Sequence, residues 1–270
     1  MAGRAAHARP GGCWSDWDIM DNAGMESLAS PPVFLPAPAD GRTFSATRTV
    51  RSTDVTPDGR LRFDALARYL QAAAEDDLTD AAWREPFGWW LRRCAVALHS
   101  FPGHGEQVQL QTFCSATGPR WAERTTTVAG SAGRKLMQAR AVWVAIDRAT
   151  AQPTPLGESF LRLYGAAAQG RTVSARLSLP GPPPAAAGSR WPLRASDFDT
   201  ARHANNAVHW AAVEDVLATQ DWLPTHAELE YHGPMLPTHE PCLVTSRGAD
   251  HLYAWLLNGT QRLASARLLR

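Results

Sequence analysis

The same order of secondary-structure elements occurs twice along this 270-residue chain, and this duplication is what most restricts its fold. Each copy is predicted to begin with one strand, continue with one helix and end with four strands. The helix is indicated by apolar residues three or four positions apart, and the strands by alternation between turns rich in Gly and Pro. Short turns favour antiparallel pairing. Each copy therefore predicts an α+β unit, in which a helix of about 15 residues packs on a five-stranded antiparallel sheet.

Both copies can be followed through the chain by their apolar spacing. The strands of the first copy are predicted at Arg42–Ser52, Trp90–His99, Gln107–Ser115, Trp121–Ala129 and Leu136–Ile146. Its helix is indicated by Phe63, Leu66, Ala67, Leu70 and Ala74. The strands of the second copy are predicted at Trp191–Ser196, Glu228–His232, Pro241–Ser246, Leu252–Leu257 and Arg262–Leu268, and its helix at Ala207–Leu217. Two such units can cover each other's free sheet edges.

Two stretches without periodicity set the domain boundaries. Residues 1–40 mix Gly, Ala, Pro and Asp and are expected to form a disordered tail, with Met20 and Met25 as alternative starting points. Residues 165–189 contain a run of Pro, Gly and Ala that predicts a linker. The sequence therefore predicts an N-terminal unit over residues 41–164 and a C-terminal unit over residues 190–270.

Composition excludes several classes of protein. Hydrophobic residues make up 44% of the chain, charged residues 20%, and the net charge is +1. These values suit a globular protein and give no overall field that would attract nucleic acid or a membrane surface. No apolar run approaches the roughly 18 residues of a membrane span. The four cysteines are scattered without a CxxC pair, as in a reduced compartment. We therefore expect a cytoplasmic protein that binds neither nucleic acid nor membrane.

The densest group of polar residues lies at 197–206, between a predicted strand and a predicted helix. Free amide groups at a helix N-terminus can hold an anion or a developing oxyanion. Asp199 and His203 precede this end, so the carboxylate is a candidate base or nucleophile and the imidazole a candidate group for positioning water. In the alternative interpretation, Asp197, Asn205 and Asn206 are only helix caps and Asx turns.

This segment also carries a resemblance to a known family. Residues 199–206, followed by His209 and Glu214, are similar to the pattern DxDxxxHVNNxxYxxxxE of hotdog-fold thioesterases. Three further segments resemble the acyl-ACP thioesterases of plants and bacteria, which carry two hotdog units in one chain: Trp90–Arg93 with Phe101–Pro102, Ala139–Val144, and the LEY strand at Leu229–Tyr231. The resemblance covers about residues 42–270.

The resemblance implies a tandem hotdog fold that forms an internal pseudo-dimer, with the choice between monomer and homodimer left open. It implies hydrolysis of fatty acyl-ACP, or alternatively acyl-CoA, to free fatty acid, which terminates fatty acid synthesis. Acyl carrier protein is then the partner, and neither a metal nor a cofactor is needed. Asp199 and His203 fall on the family's active-site positions, and the N-terminal unit would hold the acyl chain. The implied supporting residues are Asn205, Asn206 and Glu214.

Two surfaces are open to more than one interpretation. Trp89 and Trp90, beside Trp83 and Phe87, are candidates for lining the acyl pocket, although core packing also explains such a cluster. The other surface is basic. It either meets the acidic surface of acyl carrier protein or is an ordinary solvated face, and its residues are Arg92, Arg93, Arg120, Arg124, Arg134 and Lys135.

The chain departs from the family pattern at three positions. Ala201 stands where the family has Asn, and Pro234 and Met235 stand where it has a Glu–Cys pair. Glu230 or His232 could replace the missing group. These departures keep two rival functions open: a binding protein for acyl thioesters that lacks catalysis, and a hydratase or dehydratase of the same fold.

Overall fold

The computed structural model describes residues 35–84, 87–184 and 186–270, so most of the predicted tail lies outside the described residues. Three helices occur in the described chain, at α1 (Phe63–Asp80), α2 (Gly157–Ala168) and α3 (Asn206–Leu217). Its strands are β1 (Thr43–Thr49), β2 (Phe87–Leu98), β3 (Gln107–Thr117), β4 (Trp121–Ala129), β5 (Lys135–Asp147), β6 (Gly188–Arg190), β7 (His226–Tyr231), β8 (Cys242–Arg247), β9 (His251–Asn258) and β10 (Gln261–Leu269). None of the helices described is long and apolar enough to cross a membrane.

All ten strands form one antiparallel sheet in the order β1-β3-β4-β5-β2-β7-β10-β9-β8-β6. The first five strands are the first copy and the last five are the second, so each copy contributes half of the sheet. β2 and β7 join the halves, with Arg93 opposite Glu230 and Ala97 opposite His226. This pairing removes one free edge from each half-sheet. The predicted α+β arrangement of five strands and one long helix in each copy is confirmed.

The structure differs from the predicted elements in two places. α2 was not predicted, and its last turn extends past residue 165, where the linker was expected to begin. Phe160 and Tyr164 are one helical turn apart and both buried, so packing stabilises a helix that Gly157 and Gly165 disfavour. The short strand of the second copy lies at Gly188–Arg190 rather than at Trp191–Ser196, because Pro192 has no amide hydrogen to continue the ladder.

The inner face of the sheet packs against α1 and α3 in one core that draws on both copies. Alternation along β7 turns Ala227, Leu229 and Tyr231 toward this core. The two helices meet where the Phe63 ring stacks on the Trp210 indole, with ring centroids 5.3 Å apart. Burial of apolar surface is the main force that holds the copies together.

The outer face of the sheet is crossed by the segment after α2, which fastens to it by hydrogen bonds. The amides of Ser178 and Leu179 donate to the carboxylate of Glu230, at 2.5 and 3.1 Å to Oε1. Arg93 donates to the carbonyl of Ser174, and Trp255 donates to the carbonyl of Pro180. The connection is therefore extended chain held down by side chains of the sheet.

Glu214 of α3 joins the two helices electrostatically. Its Oε2 accepts the amide of Phe63, the first residue of α1, at 3.0 Å, and its carboxylate pairs with the guanidinium of Arg60. The amides in the first turn of a helix lack intrahelical acceptors, and the N-terminal end of the helix dipole favours a negative charge. The carboxylate of one copy thus caps the helix of the other.

We predict that Glu214→Ala lowers the free energy of unfolding by about 3 kcal/mol, because it leaves Arg60 and the end of α1 without their buried counter-charge. Equilibrium unfolding in urea measures the change. The matched control is Glu158→Ala, which removes a carboxylate from the exposed i,i+4 pair with Arg162 and should leave the unfolding midpoint unchanged. Equal effects of the two substitutions would contradict the proposed clamp.

Candidate active site

The loop that carries Asp199 is a tight hairpin closed by its own backbone. The amide of Asp199 donates to the carbonyl of His203 at 3.0 Å, and the amide of Arg202 donates to the carbonyl of Asp199 at 2.9 Å. Arg202 adopts a φ of 60°, a conformation that is uncommon for a residue other than Gly. The loop is fixed to the rest of the site because the amide of Ala204 donates to the carbonyl of Met235 at 2.8 Å.

The two oxygens of Asp199 have different surroundings. Oδ1 accepts the amides of Ala201 at 2.9 Å and His203 at 3.4 Å, an Asx-type arrangement that shapes the loop. Oδ2 has no hydrogen-bond donor in the part of the chain that is described. The carboxylate is thus partly a structural cap, as the alternative interpretation expected, and still has one oxygen available for chemistry.

His203 lies at the same cavity as Asp199, beside Trp90. Their ring centroids are 6.3 Å apart and the rings meet edge to face. No hydrogen bond between the imidazole and the Asp199 carboxylate is present among the described residues. The structure brings Asp199 and His203 to one cavity without pairing their side chains.

α3 begins at this cavity, and the backbone amide of its first residue is available to donate a hydrogen bond. Asn205 is the N-cap, and its Oδ1 accepts the amide of Ala207 at 3.0 Å. Within the described chain no acceptor takes the amide of Asn206, which is the first helical residue and lines the cavity. This N–H group at the positive end of the helix dipole is a candidate donor to an oxyanion.

A cavity of about 190 Å³ collects these groups at the junction of the two copies. β2 contributes Trp89, Trp90 and Arg92, and the chain after β7 contributes Gly233 and Pro234. The register of β2 against β5 shifts between Leu91 and Arg93. Such a bulge changes the direction of nearby side chains, and here it accompanies the presence of both Leu91 and Arg92 at the cavity.

A second cavity of about 260 Å³ adjoins the first and runs under α1 in the N-terminal unit. Trp89, Asp199 and Asn206 line both cavities. The remaining lining residues come from α1, α2 and three strands: Gln71, Ala74, Glu75, Leu78, Cys114, Ala122, Glu123, Arg124, Trp143 and Phe160. Of the two tryptophans predicted to line the acyl pocket, Trp89 lines both cavities and Trp90 lines only the first.

Arg124 gives this second cavity a charged wall. Its Nη1 lies 2.8 Å from Oδ2 of Asp77, which is buried and also pairs with Arg42 at 2.7 Å. Arg124 belongs neither to a solvated face nor to a surface open to acyl carrier protein, because alternation along β4 turns this side chain toward α1 and leaves it 14% exposed. Arg93 is likewise engaged with the segment that crosses the sheet. The six basic residues do not form one surface.

The positions that depart from the family pattern are occupied by groups without acid–base chemistry. Met235 is fully buried and Pro234 lines the cavity wall. Glu230 cannot replace the missing group, because its carboxylate lies on the outer face and binds Ser178 and Leu179. His232 also lines the cavity, but Nε2 lies 2.9 Å from Oγ of Ser265. Burial, followed by the charges of Arg262 and Arg92, lowers the pKa of His232 to about 3.

Two contributors to the site were not predicted from the sequence. One is α2, and the other is His209, which was quoted in the family pattern without a role of its own. Phe160 could have been found from its spacing with Tyr164, although the flanking glycines hide the helix. His209 was noted only as part of the motif, and its burial against Tyr231 depends on tertiary structure. No group of three His, Cys, Asp or Glu side chains in the described residues is arranged to hold a metal ion.

Comparison with known proteins adds to this geometry. Residues 41–164 match the model of the acyl-ACP thioesterase N-terminal domain. An uncharacterized protein of Mycobacterium tuberculosis is 26% identical over 201 residues, which cover 73% of this chain and 80% of that protein. The chloroplastic palmitoyl-acyl carrier protein thioesterase of Gossypium hirsutum is 28% identical over 132 residues, which cover 44% of this chain and 32% of that enzyme.

The fold is also found in a solved structure. The 12:0-ACP thioesterase from Umbellularia californica superposes with a TM-score of 0.70 at 19% identity, covering 84% of this chain and 96% of that one. This likeness confirms the tandem hotdog fold that the family resemblance implies. The resemblance drawn from the motifs is confirmed as well, because residues 41–164 match the model of the acyl-ACP thioesterase N-terminal domain.

Proposed function

We propose that this protein hydrolyses fatty acyl-ACP to free fatty acid and acyl carrier protein, the reaction that terminates fatty acid synthesis. The match of residues 41–164 to a thioesterase domain supports a thioester hydrolase. The observation that carries the proposal is the joining of two cavities at Asp199 and Asn206, the first beside His203 and the second under α1. A thioester needs both a polar site for its carbonyl and an enclosed site for its acyl chain.

In the proposed reaction Asp199 acts as general base. Oδ2 takes a proton from a water molecule while the water oxygen attacks the carbonyl carbon of the thioester, forming a tetrahedral oxyanion. The amide of Asn206 donates to that oxyanion. The C–S bond then breaks, and the proton held by Asp199 passes to the departing thiolate. His203, placed against Trp90, orients the water.

The acyl chain is proposed to enter the second cavity past Trp89. The indole of Trp89 contacts Phe160 of α2 with ring centroids 5.4 Å apart, and it lies at the boundary of the two cavities. The N-terminal unit of residues 41–164 thus holds the chain and the C-terminal unit of residues 190–270 holds the carbonyl. Trp90 remains at the carbonyl side.

The proposed partner is acyl carrier protein in the cytoplasm. The thioesterases to which the chain is similar, from Gossypium hirsutum and Umbellularia californica, have acyl carrier protein thioesters in their names. Free acyl-CoA is the alternative donor. The absence of an acid or base at Pro234 and Met235 specifically favours a rival, a protein that binds acyl thioesters without hydrolysing them.

We predict that Asp199→Asn lowers kcat for acyl-ACP at least about 100-fold, the range for loss of a general base. Asn keeps the Oδ1 acceptor that holds the amides of Ala201 and His203, so the loop should stay intact. Release of free thiol from a panel of acyl-ACPs measures the effect. Asp197→Asn is the matched control, because Asp197 caps the amide of Arg194 and does not line either cavity.

The outcomes of this experiment separate the candidate functions. Thiol release that depends on Asp199 but not on Asp197 supports the hydrolase. Binding of acyl-ACP without thiol release by the unmodified protein would instead support the binding protein. A change in absorbance on enoyl thioesters without release of thiol would favour a hydratase.

We also predict that Arg124→Met shifts the preferred acyl chain toward greater length. The charged wall disfavours contact with methylene groups, and each buried methylene contributes about 0.8 kcal/mol, or about fourfold in kcat/KM. Asp77 keeps its pair with Arg42, so the fold should persist. The ratio of kcat/KM between successive chain lengths is the measurement, and Arg134→Met, at an exposed position that lines neither cavity, is the control. An unchanged ratio in Arg124→Met would contradict this position for the acyl chain.

A further inference from the structure

His209 is a buried polar side chain that the family pattern does not explain. It occupies the position at which the quoted pattern has Tyr, and it is 3% exposed. Its ring packs edge to face against Tyr231, with centroids 5.0 Å apart. Neither ring nitrogen has a partner with hydrogen-bond geometry among the described residues, and the carbonyls of Asn205 and Asn206 lie near the ring without meeting that geometry. A buried polar group without a partner destabilises a fold, so its presence calls for a functional reason.

The position of His209 in α3 directs it toward the reacting groups. It is three residues after Asn206, and residues three apart lie on the same face of a helix. Helical side chains tilt toward the N-terminus, so the imidazole leans toward the end at which the Asn206 amide is available. Both His209 and Asn206 line the cavity that holds Asp199. His209 and the backbone amide of Asn206 therefore lie at one cavity.

We propose that His209 is a further catalytic residue, whose ring N–H donates to the carbonyl oxygen of the bound thioester together with the amide of Asn206. This inference rests on the proposed function and adds the second donor of its oxyanion site. The unpartnered ring nitrogens, the burial and the shared cavity carry it.

The electrostatics of the ring suit this role. Burial lowers the pKa of His209 to about 4, and the carbonyls of Asn205 and Asn206 only partly oppose that shift. The imidazole is therefore neutral at pH 7 and carries one N–H and one lone pair. A neutral imidazole can polarise a carbonyl without giving up its proton. It also adds no positive charge next to Asp199.

The test compares two substitutions of one side chain. His209→Phe keeps an aromatic ring against Tyr231 and removes both nitrogens, and we expect kcat to fall about 100-fold with KM little changed, as for loss of one oxyanion donor. The melting temperature should hold or rise, because an unpartnered polar group is replaced by an apolar ring. His209→Gln keeps an N–H donor and should retain more of the activity than His209→Phe.

A matched control and a second readout separate catalysis from folding. His226 is also buried with an unpartnered Nδ1, but it does not line the cavity, so His226→Phe should leave kcat unchanged. The infrared stretch of the carbonyl in a bound acyl-pantetheine ketone, in which CH2 replaces the thioester sulfur, reports hydrogen bonding directly. We expect the stretch to move to higher frequency in His209→Phe.

The two readouts distinguish failure of this inference from failure of the proposed function. An unchanged kcat and an unchanged carbonyl stretch in a folded His209→Phe protein would overturn the role of His209 while hydrolysis stands. The unmodified protein could release no thiol while the carbonyl stretch still depends on His209. That result would support the hydrogen bond from His209 and reject only the proposed hydrolysis. A stretch that does not depend on His209 rejects the donor in either case.

Discussion

The pairing of β2 with β7 is the contact on which the rest of the structure depends. It fuses two half-sheets that would otherwise each present an unpaired edge. It also creates the candidate site, because the cavity lies between residues of β2 and the chain that leaves β7. Neither copy alone contains the set of groups that surrounds Asp199. The duplicated chain thus makes one asymmetric site from two similar units.

Glu214 then sets the distance between the two parts of that site. α1 lines the second cavity, which is proposed to hold the acyl chain, through Ala74 and Leu78. α3 places the backbone amide of Asn206 at the first cavity, which is proposed to hold the carbonyl. A carboxylate of α3 that caps the first turn of α1 fixes the two helices along their length. Stacking of Phe63 on Trp210 fixes their separation. In the proposed reaction, the carbonyl and the acyl chain are consequently held by the same pair of helices.

The order of strands and helices along the chain could be predicted because each element is indicated by the spacing of apolar residues that are neighbours in the sequence. The strand at Trp121–Ala129 has the predicted bounds, and Asp199, His203 and Asn206 were singled out from one contiguous segment. The missed features depend on distant residues. Glu214 meets Phe63 across 151 positions, and Arg124 meets Asp77 only after β4 packs on α1. The spacing of residues within a helix or strand indicates which side chains share a face. It does not indicate which charged group of a distant element will pack against that face.

Loss of the Glu–Cys pair changes the electrostatics of the site as much as its chemistry. A second carboxylate near Asp199 would place a like charge beside the first. It would also oppose the negative charge that forms on the carbonyl oxygen. Pro234 and Met235 leave no carboxylate at those positions of the cavity wall. In the proposed reaction, the backbone amide of Asn206 at the positive end of α3 and the neutral ring of His209 are the donors to the carbonyl oxygen, and neither of them places a positive charge beside the carboxylate proposed as base.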